Sequence, residues 1–267
     1  MKIESQVKKT LKEISLKKNE KVLVALSGGK DSATTAFLLK KFGYNVQGLH
    51  INLGMGSYSE RCMNAVKKLS EDLGINLDIY DIKKEMGSSM CYLRASVQSA
   101  KNLKNCAICG VIKKSVLNKE ARKLKVDKIA TGHNLDDEVE TFLLNILKGS
   151  LQLSANTGTI TKNIPDKKFV PRIKPLFYLT GKEIKKYSRQ KNLPVIYEKC
   201  PCALDSYRIQ IRKFTDKLSK SEKENIIKNF EKLQRKIRGE NKKIIYCETC
   251  GEPSMKNICK KCELLKI

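Results

Sequence analysis

Apolar positions along the chain follow two alternating rhythms. Residues 22–26 read VLVAL, a short continuous apolar run of the kind a strand covered on both faces requires. Strand patterns recur at 45–51, 75–82 and 126–131, beside the first at 21–26. Between and after them, helical spacing predicts helices over 32–41, 59–73, 107–124 and 136–148, then 180–191 and one or two charged helices over 208–238. Ile3, Val7, Leu11 and Ile14 lie on one helical stripe, so 3–17 reads as an amphipathic helix laid on the body. Strand–helix alternation of this kind predicts an α/β fold, a doubly wound parallel sheet with helices on both faces. Residues 150–170 mix Gly, Asn, Thr and Pro without periodicity and read as a mobile segment. Four parts follow: an N-terminal helix (1–20), a nucleotide-type domain (21–200), a basic helical extension (201–244) and a cysteine-rich tail (245–267).

Ligands of such sheets sit beyond the carboxyl ends of the strands. Three polar clusters follow strands, at 27–32, 50–54 and 131–137, and should converge on one crevice. The first is SGGKDS, a glycine-rich turn opening a helix, which aims backbone N–H groups and a positive helix end at one point. A Walker loop needs Ser or Thr directly after Gly-Lys and a glycine five residues before Gly29; Asp31 and Val24 stand there instead. The string is similar to the loop of the pyrophosphate-loop (PP-loop) ATPases, which adenylate a substrate and release pyrophosphate. In that reading Gly28 and Gly29 admit the β- and γ-phosphates of ATP, Ser27 and Ser32 donate hydrogen bonds, and Lys30 supplies charge.

The ten cysteines fall into sets. Cys247, Cys250, Cys259 and Cys262 spell C-x2-C-x8-C-x2-C, the spacing of a zinc ribbon whose metal is its folding energy. Cys106 and Cys109 make a C-x-x-C at a helix entry, and Cys200 and Cys202 follow far along the chain. On spacing alone that pair is a redox couple, half a zinc site or part of an iron–sulfur cluster. Cys62 and Cys91 are read as small core residues.

Taken together, SGGKDS at 27–32, CAICGVIKK at 106–114, TGHNLDD at 131–137, KPL at 174–176, EKCP at 198–201 and the terminal cysteine pattern resemble the tRNA 2-thiouridine synthetases. These are the iron–sulfur-dependent tRNA-uridine 2-sulfurtransferases of the PP-loop superfamily, with an adenine nucleotide alpha hydrolase-like fold. The resemblance implies a [4Fe–4S] cluster on Cys106, Cys109 and Cys200, with one iron left for hydrosulfide, and Lys113 and Asp137 flanking the reacting groups. It extends the nucleotide contacts to Ala25, Asp31, Ile51 and Gly132, with Mg²⁺ accompanying the triphosphate. From the residues themselves, Lys113 is equally a solvated helix lysine and Asp137 a helix-opening carboxylate. His133 reads as a base or nucleotide contact or a structural histidine, and Cys202 as a spare thiol or a persulfide carrier. Many members of the family begin with a second zinc ribbon, whereas no cysteine precedes Cys62 here.

The implied reaction is ATP-dependent thiolation of a tRNA uridine at C2, with sulfide or a sulfur-carrier protein as sulfur donor. Thiolation of a tRNA cytidine is the alternative within the same chemistry. An adenylating sulfurtransferase or ligase for a small metabolite, or a non-catalytic zinc protein on nucleic acid, are the readings outside it. The formal charge of +26, from 54 Lys and Arg against 28 Asp and Glu, suits a polyanion such as tRNA, although a lysine-rich composition alone would also produce it. No apolar run approaches the roughly 20 residues of a membrane span, so no membrane partner and a cytoplasmic location are expected. A homodimer is compatible with all of this.

Overall fold

A computed structural model of the chain describes residues 2–101, 103–154, 158–161, 166–203, 208–237 and 244–265. Among them, α1 (Lys2–Glu13), β1 (Lys21–Leu26), α2 (Lys30–Lys41), β2 (Asn45–Asn52), α3 (Ser57–Leu73) and β3 (Leu77–Asp81) come in turn. After these follow α4 (Ile82–Met86), α5 (Met90–Ala100), α6 (Asn105–Lys123), β4 (Lys128–Ala130), α7 (Leu135–Leu147), α8 (Leu151–Ser154) and β5 (Arg172–Ile173). The chain continues through α9 (Gly181–Gln190), α10 (Arg208–Thr215), α11 (Lys220–Ile237), β6 (Ile245–Tyr246), β7 (Pro253–Ser254) and α12 (Lys260–Leu265).

The first five strands form one parallel sheet in the order β3-β2-β1-β4-β5. Alternation along β1 sends Val22, Val24 and Leu26 into a core shared with α1, α2, α3 and α9, and Leu23 into one beneath α6. Both faces are therefore covered, as the apolar runs require. The order reverses between β1 and β4, the switch point where such sheets bind ligands.

Several expected boundaries shift. α1 stops at Glu13 rather than 17, because Ser15 takes a left-handed φ of 56° and turns the chain toward β1. α2 begins at Lys30 rather than 32, so the helix opens directly on Gly29. Of the 208–238 stretch, residues 208–237 carry two helices, and 238 lies outside the described residues. α4 and α5, absent from the sequence reading, fill the space between β3 and α6. Within 150–170, the described residues are tied down rather than loose: Ile160 bridges Ile173 of β5, and Thr161 N–H donates to Arg172 O at 2.8 Å. Residues 155–157 and 162–165 of that stretch lie outside the described residues.

The cysteine-rich tail packs against α6. β6 and β7 pair antiparallel, and Leu264 of α12 packs into the cluster that holds Cys109, Ile112 and Met90. Arg122 forks onto the Glu252 carboxylate, and Lys168 Nζ donates to Gly251 O at 2.8 Å.

Cys62 is buried, as expected. Cys91 is not: it is exposed on α5, which turns Met90, Arg94 and Val97 inward and leaves Cys91 outside.

Two glycines set how closely the strand ends approach. A Cβ on Gly132 would lie 2.7 Å from both Asp31 C and Ser32 N, and one on Gly28, at φ +84°, 2.9 Å from Cys62 Cα. Backbone cannot yield as a side-chain tip can. Gly132→Ala is expected to destabilise the fold by about 2–3 kcal/mol, read as a lowered denaturation midpoint at unchanged slope. An unaltered midpoint would contradict the close approach.

Candidate functional site

The loop after β1 is held by its own serines. Ser27 N–H donates to Ser32 Oγ at 3.1 Å, and Ser32 Oγ donates to Gly29 O at 3.0 Å. Gly29 caps α2 in an extended conformation with no side-chain cap, so the first-turn N–H groups face the crevice. Lys30 Nζ lies 2.6 Å from Asp31 Oδ1, which also accepts from Asn134 Nδ2 at 3.1 Å. Burial pushes the Asp31 carboxyl up, against the pull of Lys30. The loop after β4 is thereby clasped to the loop after β1.

Asn134 and Asp137 form a capping box at the start of α7. Asn134 Oδ1 accepts from Asp136 N–H and Asp137 N–H, and Asp137 Oδ2 accepts from Asn134 N–H at 3.3 Å. The helix-opening reading of Asp137 thus holds for one oxygen, while Oδ1 lies 3.8 Å from Arg208 Nη1. Burial raises the Asp137 carboxyl, and Arg208 opposes it. His133 Nδ1 is 2.9 Å from Thr131 Oγ1, and its ring is held near pKa 4, first by burial and then by Lys174. The ring is therefore neutral at pH 7. Lys174 is spoken for by Glu138 at 2.7 Å in a buried pair.

His50 was placed in a cluster by its position alone and proves more specific. Its Nδ1 lies 2.8 Å from Leu26 O, so Nδ1 carries the proton and Nε2 is a bare acceptor. That nitrogen is buried without a partner among the described residues, and the ring is held neutral by burial, with Lys113 adding to the effect. Ala25 and Ile51 stand near the ends of β1 and β2.

Cys106 and Cys109 sit at the start of α6, Cys106 exposed and Cys109 buried, with Lys113 one turn further on. Cys200 arrives on a segment tied to the loop after β1: Ile196 N–H donates to Gly28 O at 2.9 Å, and Arg61 on α3 pairs with Glu198 at 2.6 Å. The Cys200 sulfur lies within electrostatic reach of Cys62. Among the described residues, only Cys247, Cys250, Cys259 and Cys262 bring metal-ligating atoms within 4.8 Å of one another as a set of three or more. That spacing fits one tetrahedral ion. Backbone N–H groups serve these sulfurs: Cys259 N–H donates to Cys247 Sγ at 3.2 Å and Cys262 N–H to Cys259 Sγ at 3.5 Å. A cuboidal cluster puts each thiolate on a different iron and spaces them more widely. Three cysteines outside any disulfide, two of them in the first turns of a helix, are a donor set that fits it.

Beside the crevice, cations crowd together. The Lys114 ammonium is pushed down by burial and then by Arg172, Lys174, Lys260 and Arg208. Arg172 Nε is buried without a partner among the described residues. Sequence reasoning found neither Arg172 nor Arg208, which belong to no motif. A cavity of about 500 Å³ lies elsewhere, between α4, α5, α6 and α12, and gathers none of these groups.

The fold and the loop after β1 define a class, and a family profile described as the PP-loop domain matches residues 1–216. The chain belongs to that family. Within it, the chain belongs with the tRNA 2-sulfurtransferases, as its relatives show. It is 36% identical to the tRNA-5-methyluridine(54) 2-sulfurtransferase of Pyrococcus horikoshii, over 97% of this chain and 83% of that one. It is 32% identical to the tRNA 2-thiolation protein NcsA of Haloferax volcanii, over 91% and 81%. Cytoplasmic tRNA 2-thiolation protein 1 of Caenorhabditis elegans is 33% identical over 94% of this chain and 68% of its own. Among solved structures, the U34-tRNA thiolase NcsA of Methanococcus maripaludis, with its [4Fe–4S] cluster, superposes with a TM-score of 0.81 at 30% identity, covering 99% and 86%. No helix among the described residues is long and apolar enough to cross a membrane.

Proposed function

We propose that this chain is a cytoplasmic enzyme that thiolates a uridine of tRNA at C2, using ATP to adenylate the C2 oxygen. The observation that carries the reading is the junction of two chemistries: the SGGKDS loop opens α2 without a side-chain cap, and the segment bearing Cys200 is hydrogen-bonded onto that loop at Gly28. The solved thiolase named above carries a [4Fe–4S] cluster, and the relatives' names speak of tRNA 2-thiolation. Those names differ over the position modified, 54 in one and U34 in another.

The residues divide the work. Gly28 and Gly29 let the backbone reach the β- and γ-phosphates, Ser27 and Ser32 donate to them, and Lys30 exchanges Asp31 for phosphate oxygens. Mg²⁺ accompanies the triphosphate. Gly132, Ala25 and Ile51 line the nucleotide. The uridine C2 oxygen attacks the α-phosphorus and pyrophosphate leaves; Lys113 offsets the charge that develops there. Sulfur then attacks C2, and AMP departs with the former C2 oxygen. Asp137 holds α7 in place beside this centre through its capping oxygen. Cys106, Cys109 and Cys200 would hold the cluster, which when bound supplies an iron without a protein ligand as a seat for hydrosulfide. Cys247, Cys250, Cys259 and Cys262 would hold one zinc, which when bound would stabilise the fold of the tail. The cations around Lys114 and Arg172 take up tRNA phosphates.

Lys30→Ala is expected to lower turnover at least about a hundredfold, and the wild type to produce AMP and pyrophosphate. ADP and phosphate as the only products would refute the adenylation reading. After anaerobic reconstitution, Cys200→Ser should lose cluster iron while Cys202→Ser retains it, read by iron content and spectroscopy. Equal loss in both would make Cys202 a ligand and remove the open iron.

A further inference from the structure

Arg94 is a buried cation with an unusual set of partners. The residue is 4% exposed on α5, and its Nε donates to Met90 O at 3.2 Å. Its Nη2 meets sulfur only: Cys202 Sγ at 2.9 Å, Cys91 Sγ at 3.1 Å and Met55 Sδ at 3.6 Å. Among the described residues no carboxylate pairs with it, although a buried guanidinium is costly without an anionic partner. Both cysteine sulfurs thus sit against the same guanidinium nitrogen. Cys91 is exposed and Cys202 half-buried, so reagents can reach the pair, and Cys202 lies two residues beyond Cys200.

The thiolation chemistry leaves a gap that such a pair fills. Replacing the C2 oxygen of uridine by sulfur is not a redox change, so sulfur must arrive at the level of hydrosulfide. A persulfide donor carries sulfane sulfur, which is two electrons short. We propose that Cys91 and Cys202, gathered on Arg94, form a sulfur relay that takes sulfane sulfur from a persulfide and releases it as hydrosulfide beside Cys200. The inference rests on the thiolation reading above and adds the class of sulfur donor.

The Cys202 thiolate attacks the outer sulfur of the donor R–S–SH; the donor S–S bond breaks, R–S⁻ leaves with the electron pair, and Cys202–S–SH forms. The Cys91 thiolate then attacks Cys202 Sγ, the persulfide S–S bond breaks, and its electron pair leaves with HS⁻. A Cys91–Cys202 disulfide remains, the two thiolates having supplied the two electrons that the sulfane sulfur gained. An external dithiol reductant restores the pair by exchange. Arg94 faces both sulfurs and offsets the anionic charge carried through each step.

The test uses the full chain with its cluster reconstituted, kept anaerobic, with glutathione persulfide as donor. Alkylated peptides are weighed by mass spectrometry and free hydrosulfide is measured. The wild type should form the Cys91–Cys202 disulfide with one hydrosulfide released for each. Cys91→Ser should trap a peptide one sulfur heavier at Cys202 without releasing hydrosulfide, and Cys202→Ser should give neither product. Inorganic sulfide should rescue tRNA thiolation in both variants, because it bypasses the relay. Hydrosulfide release unchanged in either variant, or persulfide found on Cys62, Cys106, Cys109 or Cys200 instead, would overturn the relay. If the wild type failed to thiolate tRNA even with sulfide, the thiolation reading would fall, while the peptide masses would still decide the pair.

Discussion

The arrangement depends on how closely two backbone segments meet where the sheet changes direction. The loop after β4 lies against the loop after β1 with no room for a side chain at Gly132, and the loop after β1 lies against α3 with none at Gly28. Contact at that distance leaves the N-terminus of α2 facing a narrow crevice walled by Thr131–Asn134 chain on one side and by β2 on the other. A phosphate group is recognised by N–H groups only if backbone can come that near. Side chains then make the contact permanent: Asn134 caps α7 with its oxygen and grips Asp31 with its amide nitrogen. One residue thus sets the helix start and the clasp between the two loops.

The sulfur side of the molecule is hung on the same frame. The segment after Ile196 is paired to Gly28–Gly29 before it runs past α3, so Cys200 is positioned by the phosphate loop itself. α6 brings Cys106 and Cys109 from the opposite layer, and the ribbon is braced against that helix by Leu264 and the Arg122–Glu252 fork. A shift of the loop after β1 would therefore move a thiol as well as the phosphate cradle. On the proposed reading, adenylation and sulfur transfer share one scaffold.

Much of this was legible in the sequence, and for physical reasons. Continuous apolar runs marked the strands buried on both faces, and glycine, which alone tolerates such close approach, marked the crevice. Cysteine spacing marked the ribbon, because tetrahedral geometry permits few alternatives. What escaped notice depends on tertiary contacts. β5 is two residues long and has no period to read. Cys91 reads as core because cysteine is usually buried, yet α5 turns Arg94 inward in its place. Arg94, Arg172, Arg208 and the bare Nε2 of His50 carry no local signal, since a basic residue in so basic a chain looks solvated. Asp137 was ambiguous in sequence and serves as a cap in structure, with one oxygen left toward Arg208.

The central claim is that the crevice joins ATP-driven activation to sulfur insertion on tRNA. Mass spectrometry of the nucleosides of bulk tRNA, from a strain lacking this chain and from the same strain carrying it again, tests that claim most directly. The account predicts that one 2-thiouridine-type nucleoside disappears and returns with the wild type, but not with Lys30→Ala. An unchanged set of thiolated nucleosides, or the loss of 2-thiocytidine alone, would contradict it.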